Sequence, residues 1–205
     1  MYKLISGLVT FFICTISVFA QTIVINEVVS SNFDSFLDED GDSPDWIEFY
    51  TPDTEEADLS GFGISDDEQD LFKWVFPPGT IISKNFFVVF ASGKNRGHNH
   101  TNFKISSVGE SLFLTSPGGI VIDSVHLASM PADISYGREA DGDPNWFYFL
   151  TPTPGSENNT PVSDTPNPYL IEFLPGLNWW AEGPKDQASH ALLQWYLIYW
   201  PCRGP

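Results

Sequence analysis

Acidic residues are concentrated in one short run, DEDGDSPD, which holds five carboxylates in eight residues. Three aspartates alternate around a glycine that permits a sharp turn, and a fourth follows closely enough to close a ring of oxygens. Oxygen atoms are the ligands that Ca²⁺ takes in proteins. The run therefore predicts a calcium site, with a solvated turn as the alternative. The candidate ligands are Asp38, Asp40, Asp42 and Asp45.

The spacing of this run excludes an EF-hand. Counting from Asp38, the twelfth position holds Phe49, where an EF-hand needs a bidentate glutamate. What remains is a β-loop site of the weak kind found in extracellular modules, with a dissociation constant of about 0.1–1 mM. Calcium is the only cofactor that these residues suggest.

Two glutamates form the main catalytic candidate. Glu27 and Glu48 lie in separate apolar segments that read as neighbouring strands, where burial raises a carboxyl pKa. Such a pair of carboxylates is the machinery of a glycosidase. The alternative is a structural, hydrogen-bonded role. No nucleophile, base and orienting group come together in the sequence, so we favour the structural role and predict no catalytic residue.

Other catalytic motifs are incomplete or absent. His98, Asn99 and His100 spell an HNH tripeptide, but a ββα-metal nuclease spaces its catalytic residues across a hairpin and a helix. These residues therefore predict a polar surface loop. The sequence contains no GxSxG, GxxxxGK[ST], HExxH or CxxC motif. We predict that the protein is not an enzyme.

Charge restricts the classes of partner. The formal net charge is −18, and nucleic-acid binding depends on lysines and arginines that neutralise phosphates. Nucleic acids are therefore poor partners for this chain, and an anionic membrane surface is disfavoured for the same reason. Trp46, Trp74 and Trp146 are predicted to lie in the core or at its rim, although exposed tryptophans would stack on sugar rings. The remaining partner classes are a protein and a cell-surface glycan.

Residues 1–20 have the pattern of a secretory signal peptide. Lys3 precedes an apolar run, and Val18 and Ala20 are placed as the small residues before a cleavage site. The run is short for a bilayer span, so we expect no membrane span after the signal is removed. The predicted location is secreted or cell surface.

The rest of the chain reads as a series of short strands. TIVINEVV and DWIEFYT both alternate, and the second is expected to bury one face and half-expose the other. SPGG, residues 116–119, predicts a tight hairpin. No convincing helix precedes residue 160, so the pattern predicts an all-β sandwich or barrel. Further strand candidates are DLSGFGIS, FKWVF, GTIIS, NFFVVFAS, ESLFLTS and IVIDSVHL.

The C-terminal part changes in composition. Residues 159–168 are rich in Pro, Thr, Ser and Asn, which predicts an extended linker. Residues 169–205 are rich in tryptophan and have no clear period, so this aromatic tail stays unassigned. A truncated second domain and an altered reading frame would both look like this.

Several motifs together resemble one family. KWVFPPGTIISKNFFVVFASGK, residues 73–94, is similar to the lamin tail domain, and further motifs follow its secreted bacterial branch in order. The resemblance implies an immunoglobulin-like β-sandwich over residues 22–158. The chain differs from nuclear lamins because it has a signal peptide and no heptad rod, so no filament is expected. The further motifs are INE, DEDGDSPDWIEFY, DLSGFGISDD, HTNFKISSVGESLFLTSPGG, SYGREADGDPNW and TPTPGSEN.

The resemblance also implies a class of function. In bacteria such modules look like accessory parts of cell-surface or extracellular proteins. We therefore predict a secreted, non-enzymatic interaction or adhesion module. The alternatives are a carbohydrate-binding accessory module and a small secreted hydrolase.

Overall fold

The computed structural model describes residues 22–52 and 56–159. The predicted signal peptide, residues 1–20, and the predicted aromatic tail, residues 169–205, lie outside the described residues. The predicted linker also lies outside them, apart from Asn159.

Within the described ranges the chain forms eleven β-strands and no helix. One antiparallel sheet has five strands in the order β11-β10-β1-β2-β7, and a second has four in the order β5-β4-β8-β9. A short ribbon pairs β3 with β6. The strands are β1 Val24–Val29, β2 Asp45–Tyr50, β3 Ala57–Asp58, β4 Gly63–Ser65, β5 Trp74–Val75, β6 Ile81–Ile82, β7 Phe86–Ala91, β8 Ser111–Thr115, β9 Val121–His126, β10 Ser135–Arg138 and β11 Trp146–Phe149.

The main core lies between the two larger sheets. Alternate apolar residues of both sheets point into it, including Ile25 and Ile47 from one sheet and Ile64, Leu112 and Leu114 from the other. Burying one such side chain stabilises the fold by about 1.5–3 kcal/mol. The all-β prediction and its sandwich form are confirmed.

Strand β2 departs from the predicted alternation, because both of its faces are buried. One face was expected to be half-exposed, yet Ile47 and Phe49 on one face and Trp46 and Glu48 on the other are all inaccessible to solvent. Phe36, from the loop before β2, packs its ring edge against Trp46. The segment 151–158 reaches Glu48 through the Gly155 N–H. Chain outside the sandwich therefore covers the outer face of this central strand.

The sequence analysis did not identify β10 and β11, which extend the five-stranded sheet beyond β1. Their side chains on the core-facing side form an aromatic row in which Tyr136 lies 5.2 Å from Trp146 and 4.7 Å from Tyr148, centroid to centroid. Tyr136 and Trp146 pack against the main core. β10 was missed because Gly137 and Arg138 interrupt its apolar pattern. β11 was missed because it is a run of only four residues, WFYF, without alternation.

An ion pair joins the two sheets at the end of the β1–β10 pairing. Asp123 Oδ2 accepts the Ile25 N–H at 2.7 Å, and Arg138 Nε donates to the Ile25 carbonyl at 2.7 Å. The Arg138 guanidinium contacts Asp123 Oδ2 at 2.8 Å and lies 4.9 Å from the Trp146 ring centre. The N–H and carbonyl groups of Ile25 lie outside the β1–β10 register pairs. Asp123 and Arg138 provide their hydrogen-bond partners and so join the two sheets at this end of the sandwich.

The predicted hairpin between β8 and β9 is confirmed. The Gly119 N–H donates to the Ser116 carbonyl at 2.9 Å, and Gly119 has a φ of 82°. A residue with a side chain would be strained at that φ, so the glycine is required by the turn. Among the described residues there is no helix long and apolar enough to cross a bilayer.

Candidate functional site

The acidic run forms a compact turn around one buried carboxylate. Asp38 Oδ1 accepts the N–H groups of Asp40 at 3.0 Å and Asp42 at 2.9 Å, and the Asp38 side chain is fully buried. Gly41 has a φ of 81° and donates to the Asp38 carbonyl at 3.0 Å. Asp38 therefore sets the backbone of the turn, as aspartates in such turns do.

A lysine of this chain lies among the predicted calcium ligands. Lys94 Nζ is 2.7 Å from Asp38 Oδ2, 2.8 Å from Asp42 Oδ2 and 3.3 Å from Asp40 Oδ2. One oxygen from each of these three aspartates lies within 4.8 Å of the others. The structure thus brings three of the four predicted ligands together, with an ammonium group in contact with all of them. A calcium ion would have to displace that ammonium.

The pKa values of the turn reflect this ion pairing. Burial alone would raise the pKa of Asp38, but hydrogen bonds from Lys94 and from the backbone outweigh it and lower that pKa. The hydrogen bonds to Asp38 and Asp42 raise the pKa of Lys94. Arg96 contacts Asp40, and this hydrogen bond is the main cause of the lowered pKa of that carboxyl. The turn is therefore held as carboxylates paired with cations.

Asp45, the fourth predicted ligand, does not join this group. Its Oδ1 accepts the Asn32 N–H at 3.0 Å, at the start of β2. The side chain is half-buried, and burial raises its pKa. Calcium binding by the remaining three aspartates stays a prediction.

The structure assembles a set of groups that the sequence analysis did not detect. His100, expected in a surface loop, is fully buried; its Nδ1 lies 3.0 Å from Ser92 Oγ and its Nε2 lies 2.9 Å from Glu39 Oε2. Serine, histidine and a carboxylate are the residue types of a hydrolytic triad, although the Ser-His-Asp template turns Nε2 toward the serine and Nδ1 toward the carboxylate, the reverse of these contacts. The prediction that no such parts come together is therefore wrong. Glu39 is separated from His100 by 61 positions, so no local pattern reveals the contact.

The surroundings of this triple give it a structural role. Ser92 is only 8% exposed, and its Oγ also accepts the Lys94 N–H at 3.1 Å. The His100 ring lies 5.1 Å from that of Phe90. The triple ties the 92–100 loop to the acidic turn, and Ser92 presents little surface to a substrate. Asp38, Glu39 and His100 also form a second group of possible metal ligands, with atoms within 4.8 Å.

The two candidate catalytic glutamates lie side by side, as expected for neighbouring strands. Glu27 of β1 is the register partner of Glu48 of β2, and both side chains are inaccessible to solvent. The register shifts between Ile25 and Glu27, which marks a β-bulge at Asn26. The bulge lets Asn26 donate from Nδ2 to Glu48 Oε1 at 2.9 Å and to Asp141 Oδ1 at 3.0 Å.

Both glutamates bind the segment 151–158, which contains the TPTPGSEN motif. Glu27 Oε1 accepts from Ser135 Oγ, and both Glu27 oxygens lie 3.1 Å from the Thr153 nitrogen. Thr153 Oγ1 also donates to Glu27 Oε2 at 2.9 Å. The Gly155 N–H donates to Glu48 Oε2 at 2.6 Å. Every oxygen of the pair is engaged, so the glutamates fasten this segment to the sheet.

Burial changes the protonation of the pair. Desolvation is the main cause that raises the pKa of Glu48 to about 8; the charge of the nearby Glu27 acts in the same direction, and the Asn26 hydrogen bond opposes the shift. Desolvation also raises the pKa of Glu27, against hydrogen bonds from Ser135 and Thr153. Such raised values occur in catalytic acids, but here they accompany complete burial and saturated hydrogen bonding.

The three tryptophans within the described residues are not displayed for sugar binding. Trp46 and Trp74 are 0% and 5% exposed. Trp146 is half-buried and is contacted by Tyr136 and Arg138. The prediction of core or rim positions is confirmed for all three.

Exposed apolar residues occur instead on loops and on a strand edge. Phe33 is 75% exposed and Leu37 is 51% exposed, both in the loop between β1 and β2. The other examples among the described residues are Phe72, Val75 of β5, Val108 on a separate loop, and the run Ile120, Val121 and Ile122 after the β8–β9 turn. None of them belongs to a turn or ligand motif, so the sequence did not mark them as exposed.

Comparison with known proteins gives one match. A family model described as the Lamin Tail Domain matches residues 20–128. No curated protein matches the chain, and no solved structure does. The matched range ends after β9, so β10, β11 and the 151–158 segment lie beyond it.

Proposed function

Since the chain belongs to the lamin tail domain family, whose fold is immunoglobulin-like, we propose that it is a non-catalytic interaction module outside the cell. It is exported by its leader and serves as an accessory part of a cell-surface or extracellular assembly. Its partner is a protein or a cell-surface glycan. The leader pattern in residues 1–20 supports export, and the acidic net charge supports solubility outside the cell.

One observation carries the non-catalytic part of the proposal. Glu27 and Glu48 are the strongest acid–base candidates in the described residues, and both are inaccessible and bound to segment 151–158. A general acid must come within hydrogen-bond reach of its substrate. Neither glutamate meets this condition in the folded domain.

Turnover assays test this part directly. Purified secreted protein is incubated with glycoside, ester and peptide substrates, alongside Glu48→Gln, Ser92→Ala and the control Glu157→Gln, whose carboxylate is exposed. We expect no turnover from any of the four proteins. Reproducible turnover that is lost in Glu48→Gln or Ser92→Ala, but kept in Glu157→Gln, would overturn the proposal.

Two further measurements test the partner class and the export. Binding on a glycan array without cleavage would favour the carbohydrate-binding alternative over a protein partner. Intact mass of secreted material should give Gln21 as the first residue, because Val18 and Ala20 fit the cleavage pattern. Retention of Met1 in a membrane fraction would contradict export of a cleaved chain.

A further inference from the structure

Building on the proposed function, we propose that the loop of residues 30–44 is a protein-docking surface. Its exposed Phe33 and Leu37 pack against an apolar segment of the partner, and lysines and arginines flank that segment. We call residues 30–44 the docking loop; it includes the acidic turn of Asp38. The proposal rests on exposure, rigidity and charge, in that order.

Exposure identifies the contact residues. Phe33 is 75% exposed and Leu37 is 51% exposed, while Phe36 between them packs inward. The Phe36 ring stacks 5.5 Å from that of Phe90 and lies 6.2 Å from that of Trp46. A large aromatic side chain kept in water is a contact that binding can bury. Phe36 acts as the anchor that fixes the loop beneath the two exposed residues.

Asp133 holds the first part of the docking loop from outside. Its Oδ1 accepts three successive backbone N–H groups, from Phe33 at 2.8 Å, Asp34 at 3.1 Å and Ser35 at 3.1 Å. The backbone that carries Phe33 is therefore fixed by a residue 100 positions away.

Asn32 closes the docking loop from within. Its Nδ2 donates to the carbonyl of Phe36 at 2.6 Å and to that of Pro44 at 2.7 Å, and its Oδ1 accepts from Ser35. Lys94 braces the following turn through three aspartates. A loop that is already ordered loses little conformational entropy when it binds, which favours its use as an interface.

Charge selects the chemistry of the partner. The docking loop carries exposed carboxylates at Asp34, Glu39, Asp40 and Asp42. Lys94 and Arg96 pair with this group, and the His100 ring contacts Glu39. The acidic side chains outnumber the cations, so a basic rim on the partner is attracted. A second copy of this acidic chain would be repelled by the same charges, and so would an anionic membrane.

The exposed apolar run after the β8–β9 turn lacks the anchoring contacts and the unpaired charge of the docking loop. Ile120, Val121 and Ile122 follow the β8–β9 turn, and the neighbouring carboxylate of Asp123 is already paired with Arg138. Nothing there selects the charge of a partner. This surface is therefore the matched control for the docking loop.

The test uses defined peptides as probes. Three synthetic fluorescent peptides share a Leu-Trp-Leu core and carry lysines, serines or glutamates on both sides. Each is titrated into the secreted full chain, into Phe33→Ser and into Ile122→Ser, at low and at high salt. Both substitutions fall on exposed residues, and melting curves confirm that each variant is folded.

We expect the lysine-flanked peptide to bind best and to bind more weakly at high salt. Phe33→Ser should weaken binding about tenfold or more, as loss of an aromatic contact residue does, and Ile122→Ser should leave it unchanged. Equal binding of lysine- and glutamate-flanked peptides, or equal binding by Phe33→Ser and the unsubstituted chain, would overturn the proposal. So would the absence of binding, binding to anionic vesicles that requires Phe33, or self-association that requires Phe33.

The outcome of the peptide titration is independent of the outcome of the turnover assays. Binding that is lost only in Ile122→Ser would overturn the docking loop and leave a non-catalytic interaction module in place. Turnover in the hydrolysis assays would overturn the module itself, whatever the peptides do.

Discussion

At the scale of single residues, the sandwich depends on carboxylates that are buried and bound rather than solvated. A buried carboxylate is costly unless hydrogen bonds or a counter-charge compensate it. Glu27 and Glu48 are compensated by the segment 151–158, and Asp38 by Lys94. The adjacency of Glu27 and Glu48 could be predicted, because each sits in an alternating strand. Their partners could not, because Thr153 is 126 positions from Glu27.

The raised pKa of Glu48 predicts a pH-dependent stability. Its pKa is about 8 in the folded state and about 4.5 in the unfolded chain, so the folded state holds an extra proton between these values. This contribution is complete below pH 4.5 and is lost as pH rises through 8. Between pH 6 and 9 the free energy of unfolding should fall by about 1–3 kcal/mol.

Urea unfolding at several pH values measures the slope of the free energy of unfolding against pH. Burial also raises the pKa of Glu27, so its contribution to the pH dependence has the same sign as that of Glu48. Asp38 and Asp40 of the acidic turn have lowered pKa values and titrate below this range. Glu48→Gln should flatten the slope between pH 6 and 9, whereas Glu157→Gln should keep it. A slope that is identical in the unsubstituted chain and in Glu48→Gln would show that Glu48 does not hold the proton.

Lys94 decides how calcium affects the acidic turn. Removing its ammonium in Lys94→Met leaves three carboxylates within 4.8 Å of one another, so repulsion should lower the melting temperature. Several millimolar calcium should then restore more stability to Lys94→Met than it adds to the unsubstituted chain, since the ion no longer competes with the ammonium. Melting with calcium and with chelator measures both proteins. Equal melting under both conditions in both proteins would exclude a calcium site here.

At the scale of elements, the strands found from the sequence are those marked by apolar alternation or by a continuous apolar run. β1 and β2 alternate, β7 and β8 contain apolar runs, and all four were predicted. β10 escaped because Gly137 and Arg138 break its apolar pattern, with Arg138 reaching Asp123 and the Ile25 carbonyl. β11 escaped because it is a run of only four residues without alternation. The burial of the outer face of β2 also escaped, since it depends on loops that arrive from distant parts of the chain.

Segment 151–158 is predicted to be part of the folded domain. It lies beyond the range matched by the family model, yet it supplies donors to both buried glutamates. A chain of residues 22–159 should melt cooperatively. A chain of residues 22–150 should be less stable by roughly 2–4 kcal/mol, because Glu27 and Glu48 lose those donors.

Thermal and urea unfolding of the two chains give the comparison, with Glu157→Gln in the longer chain as a control for a change within the segment. Equal stability of the two chains would contradict a structural role for the segment. A non-cooperative transition in the 22–159 chain that becomes cooperative when residues 169–205 are restored would show that the tail completes the core.

At the scale of the whole molecule, buried and exposed carboxylates have different roles. The interior carboxylates hold the sandwich together, and the exterior ones define the charge of a surface. The fold class and the family could be predicted from dispersed motifs in order, because those motifs are local. The docking loop could not, because its rigidity comes from Asp133 and Lys94, which lie far from it in the sequence.

The structural role of the buried carboxylates is tested most directly by the free energy of unfolding of Glu27→Gln at pH 7. Glu27 accepts from Ser135 and Thr153 through both oxygens, and an amide would place an NH₂ donor against donors. We predict a loss of about 1–3 kcal/mol, with Glu157→Gln within about 0.5 kcal/mol of the unsubstituted chain. Catalytic residues are often held at a cost to stability, so their replacement stabilises the fold. A more stable Glu27→Gln protein would contradict the structural role of the buried pair.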